Sequence, residues 1–316
     1  LVPAELAHAS GAASALALPL RTQDEVLGVM LVDHAGPAHR FSQQRIALLA
    51  GIANQAALAI ENVQLYHESL ENERMAQELA VARQIQATFL PEACPKIPGW
   101  SVAATSRPAR KVGGDFYDFI ALGERLLGLV IADVSDKGVP AALFMALSRA
   151  VMRASAVEGR SPAATLGRVN DLLLADTRSG MFVTLFYGIL DTASGQLVYG
   201  SAGHNPPFWR PRRSRRLVRL ASRGIALGVI EQPLIDEAHI TLQPGDALVL
   251  YTDGVTESFD LNEREFGEGG LQKAIHAAGP VAAAPLVAAI NQAVHDFVCG
   301  APQHDDYTLL AIARDP

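Results

Sequence analysis

Apolar and polar positions change rhythm twice along the chain, and the two changes divide it into three zones. Ser14 to Leu20 and Val26 to Val32 read as two strands joined by the polar segment Arg21 to Glu25. After Phe41, Ser42 stands where a helix N-cap belongs, and Ile46, Leu49, Ala50, Ala53, Ala57 and Ile60 keep the spacing of one helical face. Helical character continues from Ile52 to Leu90 without proline or glycine. From Glu61 onward this segment is rich in Glu, Gln, Arg and Ala, all good helix formers. A helix of about 38 residues would span ~57 Å, more than one small domain. A helix that long usually needs a partner. Its apolar positions Val63, Leu70, Leu79, Ile85 and Phe89 do not sustain a clean heptad. Two readings therefore stay open: a coiled-coil homodimer through this linker, and a single helix packed on its own domains.

Pro91, Pro95 and Pro98 end the helix, and short strands with tight turns follow. The pattern predicts strands at Ser101–Ser106, Phe116–Ala121, Leu126–Asp133, Phe182–Asp191, Gln196–Ala202, Glu237–Leu242, Asp246–Thr252 and Tyr307–Ala313. Turns are signalled by Thr192-Ala193-Ser194-Gly195 and Gln243-Pro244-Gly245. Helices are predicted at Pro140–Val157, Pro162–Ala175, Gly269–Ala278 and Ala282–Val298, with Ser161 and Pro162 forming a cap and first-turn pair. Hairpin strands with helices grouped between them imply an α+β fold of antiparallel sheets covered by helices. The expected boundaries are 1–62, 63–92 for a helical linker, and 93–316 for the main domain.

Composition narrows the class. A chain of 316 residues with 49% apolar and 19% charged residues can build its cores without disulfides or structural metal. A net charge of -7 argues against nucleic-acid binding. Cys94 and Cys299 alone make neither a disulfide framework nor a cysteine zinc site, which points to a reducing cytoplasm. No stretch reaches the ~18 uninterrupted apolar residues of a membrane helix. The best candidates are Leu126 to Ala132, which is short, and Ile46 to Ile60, which Asn54 and Gln55 interrupt. The chain opens at Leu1 in mid-pattern and reads as a fragment of a longer protein.

Certain aspartates sit at the ends of predicted strands. Asp115 follows Gly113-Gly114 and precedes an aromatic strand; Asp133 ends the apolar run Leu127 to Ala132. Asp253 ends Ala247 to Thr252, and Asp305-Asp306 precede Tyr307 to Ile312. A charge at the end of a buried strand must be paired or bound to a cation. Oxygen donors converging from several strands suit Mg²⁺ or Mn²⁺ rather than Zn²⁺. Singly, each acid has a plainer reading as a turn, a helix cap or a solvated loop residue. All four at strand ends are harder to explain that way.

Around these residues the chain resembles the metal-dependent protein phosphatases (protein phosphatase 2C-like), in their bacterial SpoIIE-like branch. Val112-Gly113-Gly114-Asp115-Phe116-Tyr117-Asp118 resembles the first signature, and Ile131-Ala132-Asp133-Val134-Ser135-Asp136-Lys137-Gly138-Val139-Pro140-Ala141-Ala142 the second. Ser201 to Pro207, Tyr251 to Glu257 and Asp305 to Thr308 match further blocks in the same order. Arg83 to Pro91 is similar to the helix that precedes the phosphatase domain in that family.

The resemblance implies a four-layer α-β-β-α sandwich and a site for two Mn²⁺ or Mg²⁺ ions. It makes Asp133 the bridging ligand beside the Val134 carbonyl, Asp253 and Asp305 ligands of the second ion, and Asp115 a further carboxylate. Asp306 is the alternative to Asp305. Two close cations would lower the pKa of a bridging water for in-line attack on phosphorus. Asp115, Asp133 and Asp253 are accordingly the expected catalytic residues. Arg110 and Lys111, just before the first signature, are the candidate holders of the substrate phosphate, or else solvated loop cations. Ser135 stands where eukaryotic relatives carry a histidine proposed to protonate the leaving alcohol, so that proton has no assigned donor. A metal-bound water is one candidate; His204 is another, although a structural role is the commoner one for a histidine in a Gly-His-Asn-Pro-Pro turn.

The implied function is a serine/threonine phosphoprotein phosphatase in signal transduction and sigma-factor regulation. Its substrate would be a small phosphorylated anti-sigma-factor antagonist, and an upstream sensor would regulate it. The alternative is a catalytically inactive phosphatase-like binding module. Pro19-Leu20, Leu27 to Met30, Phe41-Ser42 and Leu48 to Asn62 resemble the last third of a GAF sensor domain. Arg210, Arg212, Arg213, Arg215, Arg216 and Arg219 are expected at a hairpin tip, as a solvated loop or a dock for an acidic partner.

Overall fold

A computed structural model describes residues 14–34, 41–176, 180–214 and 216–316. Its contacts divide the chain into two units, Leu1–Glu78 and Leu79–Pro316. In the first, β1 (Ser14–Arg21) and β2 (Val26–His34) form an antiparallel hairpin. Thr22 closes the turn: its amide donates to the Glu25 carbonyl and its hydroxyl oxygen accepts from the Glu25 amide.

Helix α1 (Gln43–Phe89) is longer than the pattern predicts, and its last turns belong to the second unit. Ser42 caps it, its hydroxyl accepting from the Arg45 amide at 3.4 Å. Gly51 lies inside it; one helical glycine is worth only about 1 kcal/mol against Ala, too little to break so long a helix. Among the described residues α1 is also long and apolar enough to cross a membrane, with a mean hydropathy of 1.4 over its best window. Counting uninterrupted apolar residues missed that, because Asn54 and Gln55 interrupt the run without lowering its mean much.

The second unit holds two five-stranded antiparallel sheets. One has the order β10 (Glu237–Thr241), β7 (Gln196–Ala202), β6 (Val183–Asp191), β5 (Leu126–Val134), β4 (Phe116–Ala121). The other runs β3 (Trp100–Arg107), β12 (Tyr307–Arg314), β11 (Ala247–Tyr251), β8 (Phe208–Arg210), β9 (Val218–Arg219). Strand alternation builds three apolar layers. Leu129 and Ile131 of β5 meet Leu250 of β11 and Leu310 of β12 between the sheets. Val130 and Ala132 face the other way, under α2 (Val139–Ala156) and α3 (Pro162–Asp176). Val249 and Tyr251 pack under α5 (Gly267–Ala278) and α6 (Ala283–Val298). The result is the expected four-layer sandwich.

Strands β4 and β7 have their predicted bounds, and the other long strands differ only at their ends. Pattern reading did not find β8, β9 or the one-turn α4 (Asp253–Thr256), because two to four residues are too few to show a period. The arginine run does lie on the β8–β9 hairpin, although Arg215 falls outside the described residues. Arg210 corrects the solvated-loop reading: it is 7% exposed, because it faces the helix-covered side with Phe208. Arg219 is paired with Glu268 at 2.9 Å.

Candidate metal centre

The sheets bring the sequence-predicted acids together at one end of the sandwich. Phe116 pairs with Ala132, so the register carries Asp115 at the entry to β4 alongside Asp133 in β5. On the other sheet, Tyr251 pairs with Leu309, setting Asp253 beyond β11 near Asp305 and Asp306 before β12. Gly254 makes that approach close: a Cβ there would collide with the Asp306 carbonyl oxygen. The Val134 carbonyl lies against Gly114, 3.1 Å from where a Cβ would stand. Space requires Gly254, whereas a Cβ on Gly114 would only be tight.

One hydrogen bond joins the two sheets at this point. The Thr252 hydroxyl donates to Asp115 Oδ2 at 2.7 Å, and its oxygen accepts from the Thr308 amide at 3.0 Å. Asp115 Oδ1 is buried with no protein partner. Burial pushes the Asp115 carboxyl well above its usual range, and the Asp133 charge adds to it against the opposing Thr252 bond. Burial, then the charges of Asp253 and Asp305, raise Asp133 to about 7. Asp253 is raised by burial and then by Asp305, and Glu257 by burial and then by Asp253 and Asp305. Carboxyls that crowd one another this way are relieved by protonation or by a cation among them.

Among the described residues no three acidic, His or Cys side chains converge tightly enough to hold an ion without movement. Lys137 explains part of this: its ammonium sits on Asp305 Oδ2 at 2.8 Å and donates to the His304 carbonyl at 2.9 Å. The orphaned Asp115 Oδ1, the all-oxygen donor set and the mutually raised carboxyls nevertheless fit Mg²⁺ or Mn²⁺. Side-chain rotation and release of Lys137 would complete it.

Asp305 and Asp306 separate cleanly. Asp306 accepts from the Ala109 amide at 2.7 Å and the Gly114 amide at 2.5 Å, which spends both oxygens on the glycine loop. Asp305 keeps one oxygen toward Lys137, while the other accepts from the Asp306 amide. Gln86 of α1 holds the same loop from the other side: its Nε2 donates to the Gly113 carbonyl and its Oε1 accepts from the Gly113 amide.

Arg110 and Lys111 are exposed on this loop, and the Arg110 guanidinium reaches Gly138, beside Lys137. No contact joins Lys111 to the acids among the described residues. His204 is buried, with Nδ1 2.9 Å from the Thr184 hydroxyl, and burial lowers it to about 4, so it is neutral near pH 7. The Ser135 hydroxyl accepts from the Phe182 amide at 2.9 Å. Neither residue is placed as a proton donor. Sequence reading missed Thr252, Lys137, Glu257 and Gln86; a threonine directly before the strand-end aspartate was the only local signal for the first.

Two antiparallel sheets face to face, outer helices, and acids gathered from both sheet ends define a phosphatase domain of the metal-dependent PP2C type. The SiaA-PP2C domain of Pseudomonas aeruginosa shares this fold at a TM-score of 0.68 and 22% identity, over 78% of this chain and 99% of that one. The model of the stage II sporulation protein E (SpoIIE) family matches residues 123–315, and the GAF domain model matches residues 2–60. Protein IcfG of Synechocystis is 33% identical over 265 residues, 75% of this chain. The phosphoserine phosphatase RsbU of Bacillus subtilis is 31% identical over 254 residues, 78% of this chain. The chain belongs to the SpoIIE family of protein serine/threonine phosphatases. It spans 42% of the length of IcfG and 74% of that of RsbU. The GAF match takes in the first part of α1, up to residue 60.

Proposed function

We propose that this chain hydrolyses a phosphoserine or phosphothreonine monoester on a partner protein, with two Mn²⁺ or Mg²⁺ ions. The observation that carries the reading is the meeting of Asp115 and Asp133 from one sheet with Asp253 and Asp305 from the other. The bound ions would supply an activated water and neutralise charge on the phosphoryl group. Asp133 and the Val134 carbonyl, Asp253, Asp305 and Asp115 would hold them. Arg110, beside Gly138, is the better placed cation for orienting the substrate phosphate; Lys111 has less to support it.

Likeness to the phosphoserine phosphatase RsbU supports a phosphoserine substrate, and the resemblance of the motifs to the SpoIIE-like branch suggests a small anti-sigma-factor antagonist. Regulation would pass through α1, since Gln86 grips Gly113 immediately beside Asp115. Exposed Ile52, Val63, Tyr66 and Leu70 along α1 favour a homodimer through the linker. The GAF match and the proline boundary support sensor, linker and phosphatase domains at 1–62, 63–92 and 93–316. Free Cys94 and Cys299 agree with a cytoplasmic location.

The test is phosphate release from a phosphorylated antagonist in saturating Mn²⁺, with chelator and Asp133→Asn controls. Turnover that chelation and the substitution both remove supports the reading. A folded protein that stays silent in Mn²⁺ but binds the phosphoprotein would favour the inactive binding module. Truncation before Arg83 tests the helix: an unchanged rate and oligomeric state would remove its regulatory role.

A further inference from the structure

Among the described arginines of the run, Arg210 is the one that the fold hides, and part of its guanidinium is hidden without a partner. Its Nε and one terminal nitrogen are buried and make no hydrogen bond. Burial lowers its proton affinity, partly offset by the charge of Asp246. Asp246 makes no hydrogen bond to it; its oxygens accept instead from Trp209 Nε1, the Gln243 amide and the Arg212 amide. A buried guanidinium with free donors is costly unless an acceptor arrives.

The surroundings provide room for one. Arg210 lines an open cavity with Arg212, Ser214, His276, Gly279 and Pro280, between the β8–β9 hairpin and the end of α5. Arg213 and Arg216 extend the positive charge along the exposed rim, with no ion pair to either among the described residues. The rest of the protein is acidic, at a net charge of -7. The cavity is also remote from the metal centre. Arg210 pairs with Ala247 at the start of β11, and Asp253 follows its other end, about 20 Å away at ~3.3 Å per residue.

We propose that this cavity is a docking site for an acidic segment of a partner protein, one carboxylate seating on the Arg210 guanidinium and its neighbours lying along Arg212, Arg213 and Arg216. A lone oxyanion would use Arg210 and leave the rim charges idle; a run of carboxylates uses both. A fork of guanidinium donors suits a carboxylate, bidentately where geometry allows. The site is independent of the phosphatase reading.

The probe is a fluorescein-labelled hexaglutamate peptide, titrated by anisotropy into the full chain. Saturable binding that weakens with salt is expected. Arg210→Met keeps an unbranched apolar stem and removes the unpaired donors. It should cut affinity ~10-fold or more, with Arg213→Gln changing it only roughly two- to three-fold. Arg212→Gln, on the cavity wall, should act like Arg210→Met and serves if the buried substitution disturbs folding. Hydrolysis of an aryl phosphate should be the same in all three variants, because none lies at the metal centre. Absent binding, or equal binding by wild type, Arg210→Met and Arg212→Gln, would overturn the proposal. So would full displacement of the peptide by millimolar inorganic phosphate, which would make the ligand a free ion.

Discussion

The Thr252 hydroxyl donates to Asp115 Oδ2 at 2.7 Å, across the interface between two sheets and 137 residues of chain. The same oxygen accepts from the Thr308 amide, so Thr252, at the end of β11, ties Asp115 to β12 as well. Thr252→Val should leave a buried carboxyl and a buried amide without their partner. The expected loss is about 1–3 kcal/mol of stability, read by denaturant unfolding, with a higher Mn²⁺ concentration needed for activity. Unchanged stability and metal dependence would show the bond to be incidental.

Asp133 holds its proton to about 7, against an ordinary 3.8. Between these values the folded chain binds more protons than the unfolded chain, so its metal-free stability should fall as pH rises. The contribution is whole below about pH 4 and lost above about pH 7, and Asp115 and Asp253 act in the same direction. Melting temperature against pH in chelator should show this decline. Mn²⁺ should reverse it, and Asp133→Asn should flatten it.

Asp133→Asn removes a charge from a crowded acidic end and leaves the apolar faces of β5 intact. Activity should drop at least ~100-fold, beyond what loss of a ligand's outer support typically causes, while melting temperature holds or rises. Retained turnover would remove Asp133 from the metal centre.

The two neighbouring acids before β12 should behave differently. Asp306→Ala strips acceptors from the Ala109 and Gly114 amides and should destabilise by about 1–3 kcal/mol. Asp305→Asn should chiefly remove activity. Lys137→Met frees Asp305 from its 2.8 Å ion pair and should lower the metal concentration for half-maximal activity. If Lys137→Met raises that concentration instead, the lysine assists the site rather than competing for it.

Asp118 is 1% exposed and holds two arginines of α2, Arg153 at 2.7 Å and Arg149 at 3.0 Å. Asp118→Asn would leave both cations against β4 and should cost about 3 kcal/mol in unfolding experiments, with Arg149 the more buried of the two. A loss below a few tenths would mean that solvent already screens the pair.

Much of this protein was legible from order along the chain. Alternation located β4 and β7 to the residue, because a half-buried strand must repeat every two positions. Asp115, Asp133, Asp253 and Asp305 were recognisable because each stands at one end of a predicted strand, where an unpaired charge would be unfavourable. What periodicity cannot carry is which strand ends meet. Only the packing of two sheets joined Thr252 to Asp115, gave Asp306 rather than Asp305 to the glycine loop, and set Lys137 on Asp305. The same packing buried one arginine of a run whose members look alike in sequence. Burial, crowding and shared hydrogen bonds depend on distances between residues far apart in the chain, and those distances exist only once the sandwich has closed.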